Sequence, residues 1–503
     1  MRRRAIFIVV ALILVVAIGV VAYFLANRPQ TPAEVALLRD AVDVPVGSDI
    51  QSLVDQHPPG TTYLIRAGLH RDQSIVPKDG DSFFGESGAV LNGAHTLDGF
   101  ERSGDIWVLA NFLADGEPVE PWFSGTCMPG FEGCNNGEAI FYDDVPLRHV
   151  LTVEEVGPGT WHFDYAARSV YLGDDPTGRT VEMAVNYQAF SGDATGVAIR
   201  GLTIEKYAGP GQIAALDGLE STNWIVENNI IRFNHGVGLT VGPGMQVIGN
   251  QVVHNGQIGV SGVGDGVVVR GNEIAYNNWS YYDPGWEAGG TKFVQTNGLL
   301  VEGNYVHHNI GPGLWTDIDN INVTIRNNIV VANASQGIFH EIGYDAKIYD
   351  NVVKFNNPTP ADWLYGGQIV ISSSRNAEIY DNVIAVSETG GNGITIVQQE
   401  RGEGAYGAHL AINNVVRNNR IYHLGIMGQN GAAGEWSEGD FWEESNNRFD
   451  SNQYFVADTR HAYWGWENAV RTWDQIRQLG QETNGQISDG IPLDIVLPPH
   501  WRP

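Results

Sequence analysis

Between residues 229 and 419 the chain repeats the pattern N-x-[VI]-x-x-N, and this repeat restricts the fold more than any other feature. Full copies open at Asn229, Asn250, Asn272, Asn304, Asn328 and Asn351, and degenerate copies at Asn382 and Asn419. Successive first asparagines lie 21, 22, 32, 24, 23, 31 and 37 residues apart, so a base period of 21 to 24 is lengthened where loops enter. Short alternating runs fill the intervals, among them Trp224-Ile225-Val226-Glu227, Val267-Val268-Val269-Arg270, Val323-Thr324-Ile325-Arg326 and Lys347-Ile348-Tyr349-Asp350. Alternation this short, broken by Gly and Asn, is strand rather than helix. Two or three such strands in a period in the low twenties make one coil of a parallel β-helix. A leucine-rich repeat shares the period, but its Leu pattern is missing here, and a propeller blade needs about 40 residues. The asparagines predict a hydrogen-bonded column along the solenoid, at turns whose left-handed backbone Asn tolerates.

The flanks extend this all-β reading. Ser48 to Gly60 reads as a short capping helix, followed by the strand Thr61-Thr62-Tyr63-Leu64-Ile65-Arg66 and a first coil through Phe83 and Asn92. The period then fails. Runs such as Trp161-His162-Phe163-Asp164-Tyr165 and Ser169-Val170-Tyr171-Leu172 mark residues 100–186 as a small β-rich insert. The expected organisation is an N-terminal segment at 1–30, a cap and first coil at 31–99, the insert at 100–186, the β-helix at 187–450 and a C-terminal cap at 451–503. In that cap, Thr472-Trp473-Asp474-Gln475 has the capping-box form of a helix start, and Gly480 ends the helix.

Met1-Arg2-Arg3-Arg4 precedes an uncharged apolar run from Ala5 to Leu25. As helix that run is about 31 Å long, enough to cross a bilayer core and longer than a typical signal-peptide core. It predicts a single-pass membrane anchor, or a cleaved signal, with the remainder outside the cytoplasm. There Cys127 and Cys134, close together in a Gly/Pro-rich loop, are most simply a disulfide. The net charge of −29 excludes nucleic acid as a partner and disfavours polyanionic glycans, unless a metal ion or a local basic cleft offsets it. Lys occurs only five times, so a lysine near a cleft carries information.

Two adjacent coils carry the candidate chemistry. Gly313-Leu314-Trp315-Thr316-Asp317 and Gly337-Ile338-Phe339-His340-Glu341 align at a step of 24 residues. Leu314 and Ile338 then face the core, while Trp315, Phe339, Asp317 and Glu341 face outward. Neighbouring parallel strands are about 4.8 Å apart. Asp317 and Glu341 would therefore stand about 5 Å apart, the separation of the nucleophile and acid/base in a retaining glycosidase. Repulsion between the two would raise one pKa, as a proton donor requires. Around the pair, Trp315 is the expected stacking platform. Lys292 and Glu287 precede it by one coil, and Gln398, Gln399 and Arg401 end a later strand. Tyr344 belongs to the same substrate-facing group. His340 has inward parity, that of a core histidine. Loops at 278–286, with Trp286, and at 358–366, with Trp363 and Tyr365, are expected to wall the cleft with aromatic rings.

These two segments, with Asp350-Asn351 after them, resemble the active-site stretch of the β-helix β-xylosidases of glycoside hydrolase family 120. There a G-I-W-x-D segment carries the nucleophile and a following L-F-x-E segment the acid/base. The resemblance implies those roles for Asp317 and Glu341, a carbohydrate substrate and no cofactor. It covers residues 311–351. His340, where an apolar residue is usual, and the added Asp319-Asn320 depart from the pattern and bear on sugar specificity. Two other readings stay open. In a polysaccharide lyase or C5-epimerase, Lys292 would be the base and Asp317, Asp319 and Glu341 would hold Ca²⁺ against a uronate. In a non-catalytic surface β-helix the same face would only bind glycan.

Overall fold

A computed structural model describes residues 38–112, 125–361, 363–434 and 441–491. Among these residues the fold is a parallel β-helix of three sheets, with 13, 13 and 11 strands. In the central coils the chain passes from the first sheet to the second through one asparagine turn, and from the second to the third through another. Asn229, for example, separates Ile225–Glu227 from Ile230–Arg232, and Asn234 separates the latter from Val237–Val241.

The interior is built from aligned aliphatic rungs. In the first sheet Val226, Val247, Val269, Val301, Ile325 and Ile348 stack in register, all nearly or fully buried. In the second, Ile231, Val252, Ile274, Val306, Val330 and Val353 do the same. Each such side chain is worth about 1.5–3 kcal/mol of burial, so every coil adds a similar increment.

The asparagines form two hydrogen-bonded columns. Asn304 shows the repeating unit. Its backbone amide and its Nδ2 both donate to Oδ1 of Asn328 at 2.9 Å, and Nδ2 also donates to the Val269 carbonyl at 2.9 Å. Its own Oδ1 accepts from the backbone amide and Nδ2 of Asn272, at 2.9 and 3.0 Å. The first column runs from Asn229 to Asn452 and ends on the buried Glu482 carboxylate. The second runs from Asn234 to Asn356 and ends on Gln368. The column is as expected, but the left-handed residue is not the ladder asparagine. It is the residue before it: Asn228, Gly249, Gly271, Gly303, Asn327, Asp350, Asp381 and Asn418 all have φ between 54° and 65°. That residue reverses the chain, which frees the ladder amide to point along the solenoid axis.

Three boundaries differ from expectation. The insert opens at Ala94, before residue 100, because Ala94–Thr96 already pairs antiparallel with Val181–Ala184. It forms a four-stranded and a five-stranded sheet and interrupts one coil at the turn after Ala89–Asn92. The solenoid regains its third face at Phe190, bridged between Ile75 and Leu216. The solenoid also continues past 450, through Gln453–Val456 to Gln486–Asp489. The alternation of these late strands is too short to register as a repeat without the Asn signature. The N-terminal capping helix is only Ile50–Gln56, capped by Asp49, whose side chain accepts from the Ser52 amide. The C-terminal helix is Trp473–Gln478, with the expected capping box of Thr472 and Gln475. Its Ile476 is buried in the solenoid core and Trp473 packs on Tyr454 and Trp464. The expected membrane anchor lies outside the described residues, among which no helix is long and apolar enough to cross a membrane.

Replacing Asn304 with Ala strands buried donors and acceptors on three coils at once. Each such group costs about 1–3 kcal/mol. Guanidinium unfolding should therefore show a loss of about 3 kcal/mol or more, against less than about 1 kcal/mol for Asn186→Ala, which removes one exposed hydrogen bond to Asp72.

Candidate active site

The third sheet places the two acids. Leu314–Asp317 pairs in parallel with Ile338–Glu341, with Leu314 opposite Ile338, Trp315 opposite Phe339 and Thr316 opposite His340. The next step of that register sets Asp317 beside Glu341. Leu314 and Ile338 lie in the solenoid core, so strand alternation turns both carboxylates outward, as the sequence predicts. Both acids are nonetheless 5% exposed.

Each carboxylate has its own cation. Lys292, on the preceding strand Gly289–Val294, sets Nζ 3.1 Å from Oδ2 of Asp317 and 3.5 Å from Oε2 of Glu287. Oδ1 of Asp317 accepts from the Ile318 amide at 2.9 Å. Arg401 donates through Nη1 to Oε1 of Glu341. The Tyr365 hydroxyl reaches the same oxygen at 3.4 Å and Oε1 of Gln399 at 3.2 Å. Burial pushes the Glu341 carboxyl above its usual range. Asp317 adds to the rise, and Arg401 and Lys292 oppose it without cancelling it. Burial and then Glu341 raise the Tyr365 hydroxyl, which keeps it a donor.

An aromatic wall borders the pair. Trp315 stacks on Phe339 at 5.5 Å and 22°, and Lys292 Nζ lies 4.1 Å from the Trp315 ring centroid. Leu364, Val370 and Val397 complete this cluster, with Tyr365 packed on it. Trp315 is therefore outward in parity but covered on both faces, not an open platform. Among the described residues its Nε1 has no hydrogen-bond partner.

The remaining predicted residues divide by position. Glu287 joins the site through Lys292. Trp286 does not: it packs with Tyr282 on the loop stapled by Cys127 and Cys134. The rest of loop 278–286 also docks on the insert, with Tyr281 stacked on Phe131 at 3.9 Å and the Met128 amide bonded to the Tyr281 carbonyl. Loop 358–366 does border the acids, through Leu364 and Tyr365. The expected disulfide joins Cys127 to Cys134, with Cα atoms 5.9 Å apart. His340 is a core histidine: Nδ1 lies 2.8 Å from the Thr316 hydroxyl and burial pushes its pKa down to about 4.

Gln398 turns away, its Oε1 accepting from the Ala411 amide at 2.6 Å. Its neighbour Gln399 takes the place near Glu341, because alternation puts successive side chains on opposite faces. Tyr344 is buried, its hydroxyl donating to the Gly407 carbonyl at 2.7 Å, so it supports the hairpin of Glu403–Gly404 and Gly407–Ala408 rather than reaching the acids. That hairpin brings in His409, which sequence reasoning missed. Its Nε2 lies 2.9 Å from Oδ1 of Asp319. Asp319 is thus engaged with His409 and Tyr344 and is not gathered with Asp317 and Glu341. Among the described residues no three His, Cys, Asp or Glu side chains are grouped as metal ligands would be.

Residues 218–384 match a family model described as the right handed beta helix region. Solenoid and match together define a right-handed parallel β-helix protein. No curated protein matches the sequence. Among solved structures, XylC in complex with xylose superposes with a TM-score of 0.66 at 15% identity, over 90% of this chain and 87% of that one. A protein described as a glycoside hydrolase follows at a TM-score of 0.41 and 9% identity, over 78% of this chain and 89% of that one. The A-module of the mannuronan C-5 epimerase AlgE6 from Azotobacter vinelandii follows at 0.40 and 11%, over 91% and 99%. The likeness to XylC is one of fold.

Arg401→Gln removes the charge that most opposes the rise at Glu341. The carboxyl should then titrate higher. The check is the ¹³C-carboxyl resonance that Glu341→Gln abolishes, followed against pH. An unchanged or lowered midpoint would contradict the assigned balance of burial and charge.

Proposed function

We propose that the protein is a retaining glycoside hydrolase, acting on a neutral oligosaccharide or polysaccharide outside the cytoplasm. The observation that carries this reading is the pair of outward, nearly buried carboxylates on adjacent rungs, with burial and Asp317 holding the Glu341 carboxyl above its usual range. Neighbouring parallel strands are about 4.8 Å apart, close to the roughly 5–5.5 Å between carboxyls in retaining enzymes and below the spacing of inverting ones. The motif resemblance to the family 120 β-xylosidases points to the same two residues. The fold likeness to XylC, solved with xylose, makes xylosides the first substrates to try. The apolar N-terminal run and the disulfide support placement beyond the membrane.

In this mechanism Asp317 attacks the anomeric carbon while Glu341 gives its proton to the leaving oxygen. The C–O bond breaks as the Asp317 ester forms. Glu341, now ionised, takes a proton from water, which displaces Asp317 and returns the carboxylate. Lys292 holds Asp317 in place, and Tyr365 and Arg401 orient Glu341. Rigid strands keep the two acids at a constant spacing through turnover.

Asp317→Asn should abolish hydrolysis of every aryl glycoside that the native chain cleaves. Glu341→Gln should slow substrates with poor leaving groups far more than those with good ones, and azide should partly restore Glu341→Ala. The product, followed by ¹H NMR, should keep the anomeric configuration of the substrate. An inverted product, or near-native turnover by Asp317→Asn, would sink the assignment. An unsaturated ultraviolet-absorbing product would instead identify a lyase with Lys292 as base.

On the basic side, kcat/KM should fall as Glu341 ionises. Because its folded pKa is raised, that limb should lie above the ordinary glutamate range, and Arg401→Gln should move it higher still. A basic limb that stays in place in this variant would assign the proton donor to another group.

A further inference from the structure

A second recess lies between the insert and the solenoid, at coils that precede the acid pair. Its volume is about 240 Å³. Glu138, His149 and Trp161 line it from the insert, and Trp279, Ser280 and Tyr281 from the solenoid. None of these residues contributes to the Asp317–Glu341 site.

The walls combine flat aromatic faces with polar atoms that no protein group satisfies. His149 stacks on Trp161 at 4.2 Å and 17°. Trp279 stands edge-on to His235 at 5.9 Å and 85°. Among the described residues, Nδ1 and Nε2 of His149, Nε1 of Trp161, Nε1 of Trp279 and the Ser280 hydroxyl are all buried without a partner. Trp161 is fully buried and Ser280 is 8% exposed. These five atoms belong to four residues that line one recess, whereas a native structure leaves only a few such atoms unpaired per hundred residues.

The chemistry of these atoms selects the ligand. An apolar molecule would leave all five unsatisfied. An anion would meet the Glu138 carboxylate and two neutral imidazoles, since burial pushes His149 down to about 3 and His235 to about 4. Arg148 also lines the recess, but its guanidinium donates to the Gly130 carbonyl and lies over Phe131 at 4.7 Å. A cation would find a single carboxylate, which already accepts from the Tyr165 hydroxyl at 2.7 Å. A neutral polyhydroxyl compound fits. Its oxygens accept from the indole N–H groups, one imidazole N–H and the serine hydroxyl, one of its hydroxyls donates to the other imidazole nitrogen, and its C–H faces lie on the rings.

We propose that this recess binds one neutral pyranose unit, separately from the acid pair. The inference does not depend on hydrolysis by Asp317 and Glu341.

The test is calorimetric titration of the full chain with D-xylose, D-glucose, D-galactose and xylobiose, in native form and as Trp279→Phe and Ser280→Ala. Trp279→Phe keeps the ring and removes the N–H, and Ser280→Ala removes one hydroxyl. Each should weaken at least one of these sugars about fivefold or more, as loss of one hydrogen bond predicts. Turnover of short aryl glycosides by the same variants should stay within about twofold of native, since neither residue touches the acids. Near-ultraviolet circular dichroism checks folding. Should Trp279→Phe misfold, Ser280→Ala decides alone. Native-like sugar affinity in the folded variants would overturn the proposal, as would the absence of any sugar binding tighter than about 10 mM.

Discussion

Every coil of this solenoid turns sharply between its first and second sheets, and a sharp turn in a dry interior leaves backbone groups without strand partners. The ladder asparagines meet that demand. Oδ1 of each accepts the backbone amide of the asparagine one coil before it, and Nδ2 reaches both a backbone carbonyl and the next asparagine, as at Asn304. A buried amide satisfied on every side is worth keeping, whereas the same amide with one partner missing costs more than the bond contributed. The columns therefore lock neighbouring coils to one register. A slip of one residue would break the amide column and exchange the inner and outer faces together. At its last step the first column leaves asparagine for Glu482, whose carboxylate takes hydrogen bonds from Asn452 and Tyr454.

Register control is what gives the third sheet its chemistry. Asp317 and Glu341 are neighbours because Thr316 lies opposite His340. Those strands are held by Asn309 and Asn333 in the turns just before them, each bonded to the asparagine of the next coil. The acids stand on strands rather than loops, so their spacing follows from the sheet. What the loops supply is the environment: Tyr365 from loop 358–366, Gln399 and Arg401 from the strand end beyond it. Geometry and electrostatics thus come from different parts of the chain, and insertions can alter the second without disturbing the first.

The same division explains what was legible in the sequence. Period and parity are local properties, so the solenoid, the column of asparagines and the outward placement of Asp317 and Glu341 could be read from spacing. Lys292 could be placed one coil below Asp317 in the same way. Docking of loops could not. Loop 278–286 has the aromatic composition of a cleft wall, yet Trp286 and Tyr281 pack on the insert, because the disulfide loop offers them a buried surface that no repeat pattern reveals. His409 reaches Asp319 across 90 residues of chain through a hairpin with no distinctive signature. Gln398 and Gln399 could not be told apart in the sequence, at a strand end where alternation is the only guide. Residues beyond 450 were read as a cap because the asparagine signal fades there, although the strands continue.

The electrostatics of the whole molecule bear on the reaction as well. Around the acid pair, Lys292 and Arg401 face Asp317 and Glu341, and Glu287 adds a third carboxylate beside Lys292. When Glu341 is protonated, the group gains a positive charge. The rest of the molecule, at a net −29, opposes that gain less than a neutral protein would. A glycosidic bond that breaks through an oxocarbenium-like state also develops positive charge on the sugar, next to Asp317. A field of negative sign favours that state over the neutral ground state, and preorganised charge acts on the difference between the two. The same field repels a uronate or a sulfated sugar before it reaches the site. On the proposed mechanism, the acidic surface and the buried pair would both favour a neutral substrate whose transition state is cationic.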